Sequence, residues 1–237
     1  MRCPACGAEP AATRRAVSEL PLERCLRCGS EFLWPQPDEA TSAAIYGQGY
    51  FDSWGLGDGE AQARRLKRAT FRLRLALVAD RLPRGARILD VGCATGFFLE
   101  EAAAQGFEPY GVEISEYGAS ICRERFGPGR IFHGRLEAAT FADNPERLFE
   151  AVFLSDVLEH ARDPGSLLAA VHAALVNRGV LVVTTPRADS MSRRLLGARW
   201  PHLKHEHLVY FSRRGLEGTL RRSGFARTRH ARGYANE

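Results

Sequence analysis

The sequence predicts an α/β chain, a doubly wound and mostly parallel sheet preceded by a small cysteine-rich module. Three observations carry this. From residue 84 onward short apolar runs alternate with helical stretches, the pattern of strand–helix–strand units. Four of the six cysteines fall in the first 28 residues as two Cys-x-x-Cys pairs. The 237 residues, 45% hydrophobic and 26% charged, are enough for one substantial core. The expected organisation is a knuckle module at 1–34, a linker and helical cap at 35–83, and the sheet domain at 84–237.

Cys3-Pro4-Ala5-Cys6-Gly7 and Cys25-Leu26-Arg27-Cys28-Gly29 are matching turns. Two thiolates three residues apart reach one metal, and the glycine after each pair permits the tight turn beneath it. Four thiolates make a closed tetrahedral Zn²⁺ site with no open position, and a segment this short needs the ion in order to fold. The competing readings are free thiols, a redox dithiol and an iron–sulfur site. No apolar stretch follows Met1-Arg2-Cys3-Pro4, so no secretory signal is expected and the cytoplasm is the expected compartment. There the spacing favours metal over disulfides. No apolar run is long enough to span a bilayer, so membrane insertion is not expected.

Trp34-Pro35-Gln36-Pro37 breaks the chain ahead of an aromatic, glycine-rich segment at 45–54. A helix is predicted over 60–81, with Leu66, Leu73 and Leu77 facing a core. Its basic run, Arg64-Arg65-Leu66-Lys67-Arg68 with Arg72 and Arg74, reads as a solvated face or as a polyanion-binding surface. The net charge of +5 does not decide between them, because only Lys67 and Lys204 are lysines, as in a chain from an arginine-biased genome. Strands follow at 87–91, 109–114, 130–133, 151–155 and 180–184, with helices at 97–105, 116–126 and 164–176. Asp163-Pro164 starts the last of these as N-cap acid and first-turn proline. A helix at 213–223 and a short strand at 225–230 complete the pattern.

The first strand of the sheet domain runs into Gly92-Cys93-Ala94-Thr95-Gly96 and then a helix. Such a turn lets a ligand approach backbone closely at a strand's carboxyl end. The next strand ends in Glu113, placed to accept ribose hydroxyls. Together these indicate an adenosine-type ligand.

Ile88-Leu89-Asp90-Val91-Gly92-Cys93-Ala94-Thr95-Gly96 resembles the first motif of class I S-adenosylmethionine-dependent methyltransferases, with Ala94 replacing the middle glycine. Glu113 matches that family's ribose-binding acid. Phe149 to His160, ending Leu158-Glu159-His160 before Asp163-Pro164, is similar to its fourth motif. That ending, with His205-Glu206-His207-Leu208-Val209-Tyr210-Phe211-Ser212, resembles the branch of ubiquinone-biosynthesis and antibiotic-tailoring enzymes. The resemblance spans about residues 45 to 228 and implies a Rossmann-like methyltransferase fold. It also implies site roles. Gly92, Cys93 and Gly96 would line the methionine moiety, with Asp90 orienting the loop. Glu113 would hold the ribose and Ile114 pack on the adenine. Arg135 and Leu136 would stand at the adenine edge, although the family often has an acid where Arg135 is. Ser155 would meet the methionine amino group, and Tyr46 and Tyr50 would close over the cofactor or pack in the core.

Methyl transfer from a sulfonium is an in-line displacement, and an oxygen or ammonium acceptor must also lose a proton. The candidate bases are His160, His205 and His207, with His202 beside them. For His160 the alternative is a structural hydrogen bond, and for the 205–207 loop a second metal site. The expected acceptor is an oxygen, or else a nitrogen, of a small molecule or sugar. One alternative is RNA, with the cysteine module as its reader, although no Asn-Pro-Pro-Tyr motif or aromatic–basic interleaving is present. Another is a non-catalytic cofactor-binding scaffold. The family's closing hairpin is missing before Glu237, so an incomplete sheet edge, with lower stability or self-association, is expected.

Overall fold

The computed structural model describes residues 1–9, 11–38 and 61–231. Contacts group them into two compact units that do not follow the three consecutive segments expected.

One unit is built on a five-stranded sheet. Its strands are β4 (Arg87–Val91), β5 (Glu108–Glu113), β6 (Ile131–His133), β7 (Phe149–Ser155) and β8 (Leu175–Thr184), in the order β6-β5-β4-β7-β8. The β4–β5, β4–β7 and β5–β6 ladders are parallel, with Asp90 opposite Gly111 and Phe153. Ile88, Leu89, Ala151, Val152, Phe153 and Leu154 are all fully buried, as in strands covered on both faces. Helices α2 (Phe97–Ala104) and α3 (Glu116–Phe126) supply Phe98, Leu99, Ala119 and Cys122 to the core. Phe98 lies 4.4 Å from Phe153 between ring centroids. Arg178, at φ 66°, interrupts the extended course of β8 just before Gly179.

Helix α1 (Ala61–Ala76) corrects one expectation. Leu66, Leu73 and Leu77 are 53%, 46% and 44% exposed, whereas Leu75 and Val78 are buried and Phe71 packs against the core. The inward stripe is Phe71, Leu75 and Val78, at spacings of four and three. It is held by Arg68 and Arg72, which donate to the buried Glu101 at 2.7 and 3.1 Å.

The other unit joins the N-terminal residues to later parts of the chain. β1 (Thr13–Arg15), β2 (Leu22–Cys25) and β3 (Glu31–Leu33) form an antiparallel meander, and β9 (Val209–Tyr210) adds a fourth strand against β3. Helix α5 (Met191–Leu196) brings Arg193 onto Glu31 at 2.8 Å, both side chains being about 5% exposed or less. Ser212 caps helix α6 (Arg213–Arg222) by accepting from Gly215 N at 2.9 Å. The unit also holds residues 156–172, in which α4 (Pro164–Ala174) begins. The strand expected at 225–230 is not formed. Phe225 N instead bonds to Leu220 O at 3.0 Å, so the residue closes the end of α6. No described helix is long and apolar enough to cross a membrane.

Candidate cofactor and metal sites

The β4–α2 loop is shaped by left-handed backbone at Gly92 (φ 76°), Ala94 (φ 49°) and Gly96 (φ 88°). Gly92 N and Cys93 N both donate to Val112 O, at 2.7 and 3.1 Å, which binds the loop to the end of β5. The Ala94 carbonyl is turned onto α3. A Cβ at Gly118 would stand 2.7 Å from that oxygen, and the Cys122 thiol donates to it at 3.4 Å. Cys93 fits over Gly111, where a Cβ would come within 2.6 Å of its sulfur.

Glu113, 5% exposed, accepts from Ala94 N and from Ser115 N, each at 2.8 Å, one donor on each oxygen. A carboxylate has about four lone-pair positions, so two remain for a diol. Burial pushes its pKa up, opposed by these backbone donors. Asp90 is buried behind the loop; its Oδ1 has no partner among the described residues, and burial holds its pKa well above the ordinary range. Ile114 is 43% exposed, with its carbonyl 3.1 Å from His133 Nε2. Leu136 is buried beside the exposed Arg135, and Ser155 is half-buried at the end of β7.

In the other unit, Cys3, Cys6, Cys25 and Cys28 bring their sulfurs within 4.8 Å of one another. Cys3–Cys28 and Cys6–Cys25 stand 3.8 and 3.7 Å apart. Sulfurs about 2.3 Å from a tetrahedral zinc lie about 3.8 Å from each other, so the donor set and its size fit that ion. The ordinary thiol equilibrium is strongly disturbed here. Hydrogen bonding from Cys3 pushes Cys28 down to about 5, and the same contact pushes Cys3 up. Helix α6 secures both turns: Ser212 Oγ donates to Cys28 O, and Thr219 Oγ1 donates to Ala5 O.

A second cluster in this unit joins Glu159, His160 and His207, with one donor atom of each within 4.8 Å of the others. The two rings meet edge to face at 4.7 Å. His160 Nδ1 lies 2.9 Å from Glu206 O, and burial lowers its pKa. Burial pushes His207 down to about 2, against a hydrogen bond to the His202 backbone.

A family model described as a methyltransferase domain matches residues 61–230, well over half of the chain. The chain belongs to this methyltransferase family. The methyltransferase domain is 31% identical over 152 residues to a ubiquinone biosynthesis O-methyltransferase of Ruegeria pomeroyi, covering 59% of this chain and 60% of that one. It is 30% identical over 163 residues to the protein of that name from Thiobacillus denitrificans, covering 64% and 70%. The matches span about two fifths to three fifths of the first such relatives, 41% of the Alkalilimnicola ehrlichii protein and 60% of the Ruegeria one. Among solved structures, a SAM-dependent methyltransferase from Archaeoglobus fulgidus shares the fold, with a TM-score of 0.56 at 22% identity, covering 74% and 73% of the two chains.

In the methyltransferase domain the sheet unit carries Asp90, Gly92, Cys93, Gly96, Glu113, Ile114, Arg135, Leu136 and Ser155. Tyr46 and Tyr50 lie outside the described residues. The histidines divide: His160 and His207 meet, and His205 is exposed and outside their cluster. Sequence reasoning passed over Glu159, which served only as part of a motif, and Thr95, whose buried hydroxyl has no partner among the described residues. It also passed over Gly118. Its signal was available, since a glycine inside a helix costs stability and so marks a close approach.

Proposed function

We propose that the chain transfers the methyl group of S-adenosylmethionine to an oxygen, or else a nitrogen, of a small-molecule or saccharide acceptor. The observation that carries this reading is the Glu113 clamp. A buried carboxylate, fixed by Ala94 N and Ser115 N at the ends of adjacent parallel strands, keeps two lone pairs for a ribose. Gly92, Cys93 and Gly96 line the methionine moiety, Asp90 orients their loop, and Ser155 meets the amino group. Ile114 offers an exposed apolar surface to the adenine, with Leu136 and Arg135 at its edge. Transfer proceeds in line, so holding the methyl and the acceptor in position supplies most of the rate. His160, His205 and His207 are the candidate bases for the acceptor's proton. The names of the Ruegeria and Thiobacillus relatives support an oxygen acceptor. Cys3, Cys6, Cys25 and Cys28 hold one structural zinc, supported by their sulfur spacing.

The test is transfer of labelled methyl from S-adenosylmethionine into a cell extract fractionated into RNA, protein and small molecules. Label in the small-molecule or saccharide fraction supports the proposal. Label in RNA overturns the acceptor class, and tight cofactor binding with no label anywhere makes the chain a scaffold. Alanine variants of the three histidines are expected to bind cofactor normally and to lose turnover.

A further inference from the structure

We infer that Tyr210 is a positioning residue: its buried hydroxyl anchors the turn Lys204-His205-Glu206-His207, and that turn presents His205 as the group that takes the acceptor's proton. The inference rests on the methyl-transfer reading, and an exchange measurement that needs no acceptor separates the two.

The turn is pinned at its base. Lys204 N donates to the Tyr210 hydroxyl at 2.9 Å, and the hydroxyl donates to Lys204 O at 3.1 Å. One oxygen thus fixes both backbone groups of one residue. His207 N also donates to Lys204 O, at 3.2 Å, which closes the four residues into a turn. Tyr210 is fully buried in β9, opposite Glu31 of β3, with its ring 5.7 Å from Trp200 and 5.5 Å from His207. Burial pushes its phenol pKa up, so the hydroxyl keeps the hydrogen that Lys204 O accepts. The far limb is fixed as well: Glu206 O meets His160 Nδ1 at 2.9 Å, and Leu208 N donates to Glu159 O at 2.8 Å.

This arrangement sorts the three candidate histidines. His207 is buried edge to face on His160, and burial pushes its pKa down to about 2. His160 spends Nδ1 on the Glu206 carbonyl, and burial lowers its pKa too. Rings that resist protonation make weak bases. His205 stands exposed at the tip, between Lys204 and Glu206, whose side chains pair at 3.9 Å. There it takes the hydroxyl proton as the acceptor's oxygen bonds the methyl carbon. The electron pair of the broken carbon–sulfur bond stays on sulfur, and the proton passes on to water. A base works only when held in register with its proton, which an anchor on a buried strand provides.

Amide exchange followed by NMR on the full chain tests the anchor. In Tyr210→Phe the Lys204 and His207 amides are expected to exchange about tenfold faster or more, with β2 and β3 still protected. With the acceptor found by methyl labelling, this variant is expected to lose kcat about tenfold or more, its KM for S-adenosylmethionine unchanged. His205→Ala is expected to regain turnover in added imidazole, whereas His207→Ala, whose site is buried, is not. Unchanged exchange or wild-type kcat in Tyr210→Phe overturns the positioning role, and His205→Ala that imidazole does not rescue overturns the base. Should Tyr210→Phe unfold, the wild-type chain decides: Lys204 and His207 amides that exchange as fast as an unfolded chain overturn the inference. A wild-type chain that labels no acceptor ends the methyl-transfer reading instead, and the exchange still shows whether Tyr210 holds the turn.

Discussion

Ala94 occupies backbone that L-residues avoid, and it is held there from both sides. Its N–H is fixed by Glu113 and its carbonyl is seated over Gly118. Gly118→Ala should therefore weaken S-adenosylmethionine binding about tenfold or more, since overpacking costs about 1–3 kcal/mol. Calorimetric titration checks this, with far-ultraviolet dichroism showing that the helix persists. Asp90 and Glu113 also leave a mark on pH dependence. Burial raises both pKa values, so the folded chain keeps protons that the unfolded chain has already released. Stability without cofactor should fall as pH rises above the ordinary carboxylate range, from about pH 4. Asp90→Asn should flatten that fall in a melting series while weakening cofactor binding; an unchanged slope would remove Asp90 as a cause. Much of this site was legible in the sequence, because a glycine turn and an acid at successive strand ends are local features. Gly118 marked a close approach without naming its neighbour, and Cys122 carried no signal, since its meaning lies in what the folded loop brings against it.

At the scale of elements, β4 to β7 follow their apolar runs closely and α3 matches its expected bounds, Glu116–Phe126, whereas β8 begins at Leu175, inside the helix expected at 164–176 and ahead of the strand expected at 180–184. Long buried segments are decided by their own residues. The three-residue strands β1 and β3 and the two-residue β9 are too short for any periodicity, and their pairing joins residues far apart in sequence. The stripe on α1 was misread because several leucines compete on one helix, and the Arg68 and Arg72 contacts to Glu101 choose between them. The β3–α5 tie is open to test. Arg193 donates to Glu31, Val17 O and Gly197 O, so its charge is fully engaged. Removing one partner of such a buried pair costs about 3–5 kcal/mol. Glu31→Leu should destabilise the unit by that amount in denaturant unfolding, and Ser212→Ala by about 1 kcal/mol through loss of the α6 cap.

For the whole molecule, the two units rest on different kinds of stabilisation. The sheet unit has a hydrophobic cluster made entirely of its own residues, from Leu75 to Val182. The cysteine unit has short strands, a buried ion pair and a four-sulfur cluster. Chelation should therefore release amide protection in residues 11–33 and 207–222 while β4, β5 and β7 remain protected. Hydrogen exchange with and without chelator measures this directly. Uniform loss across the chain would mean that the sheet does not stand alone.

The bond between Ser30 and Ser212 spans 182 residues. A ribosome adding about 5–20 residues per second needs roughly 9–36 s to cover that distance. For most of that interval the two Cys-x-x-Cys turns have left the exit tunnel without β9 or α6 to support them. For the structural zinc proposed above, capture by the nascent chain would then precede the arrival of its supporting elements, and scarcity of that ion would act before synthesis is finished.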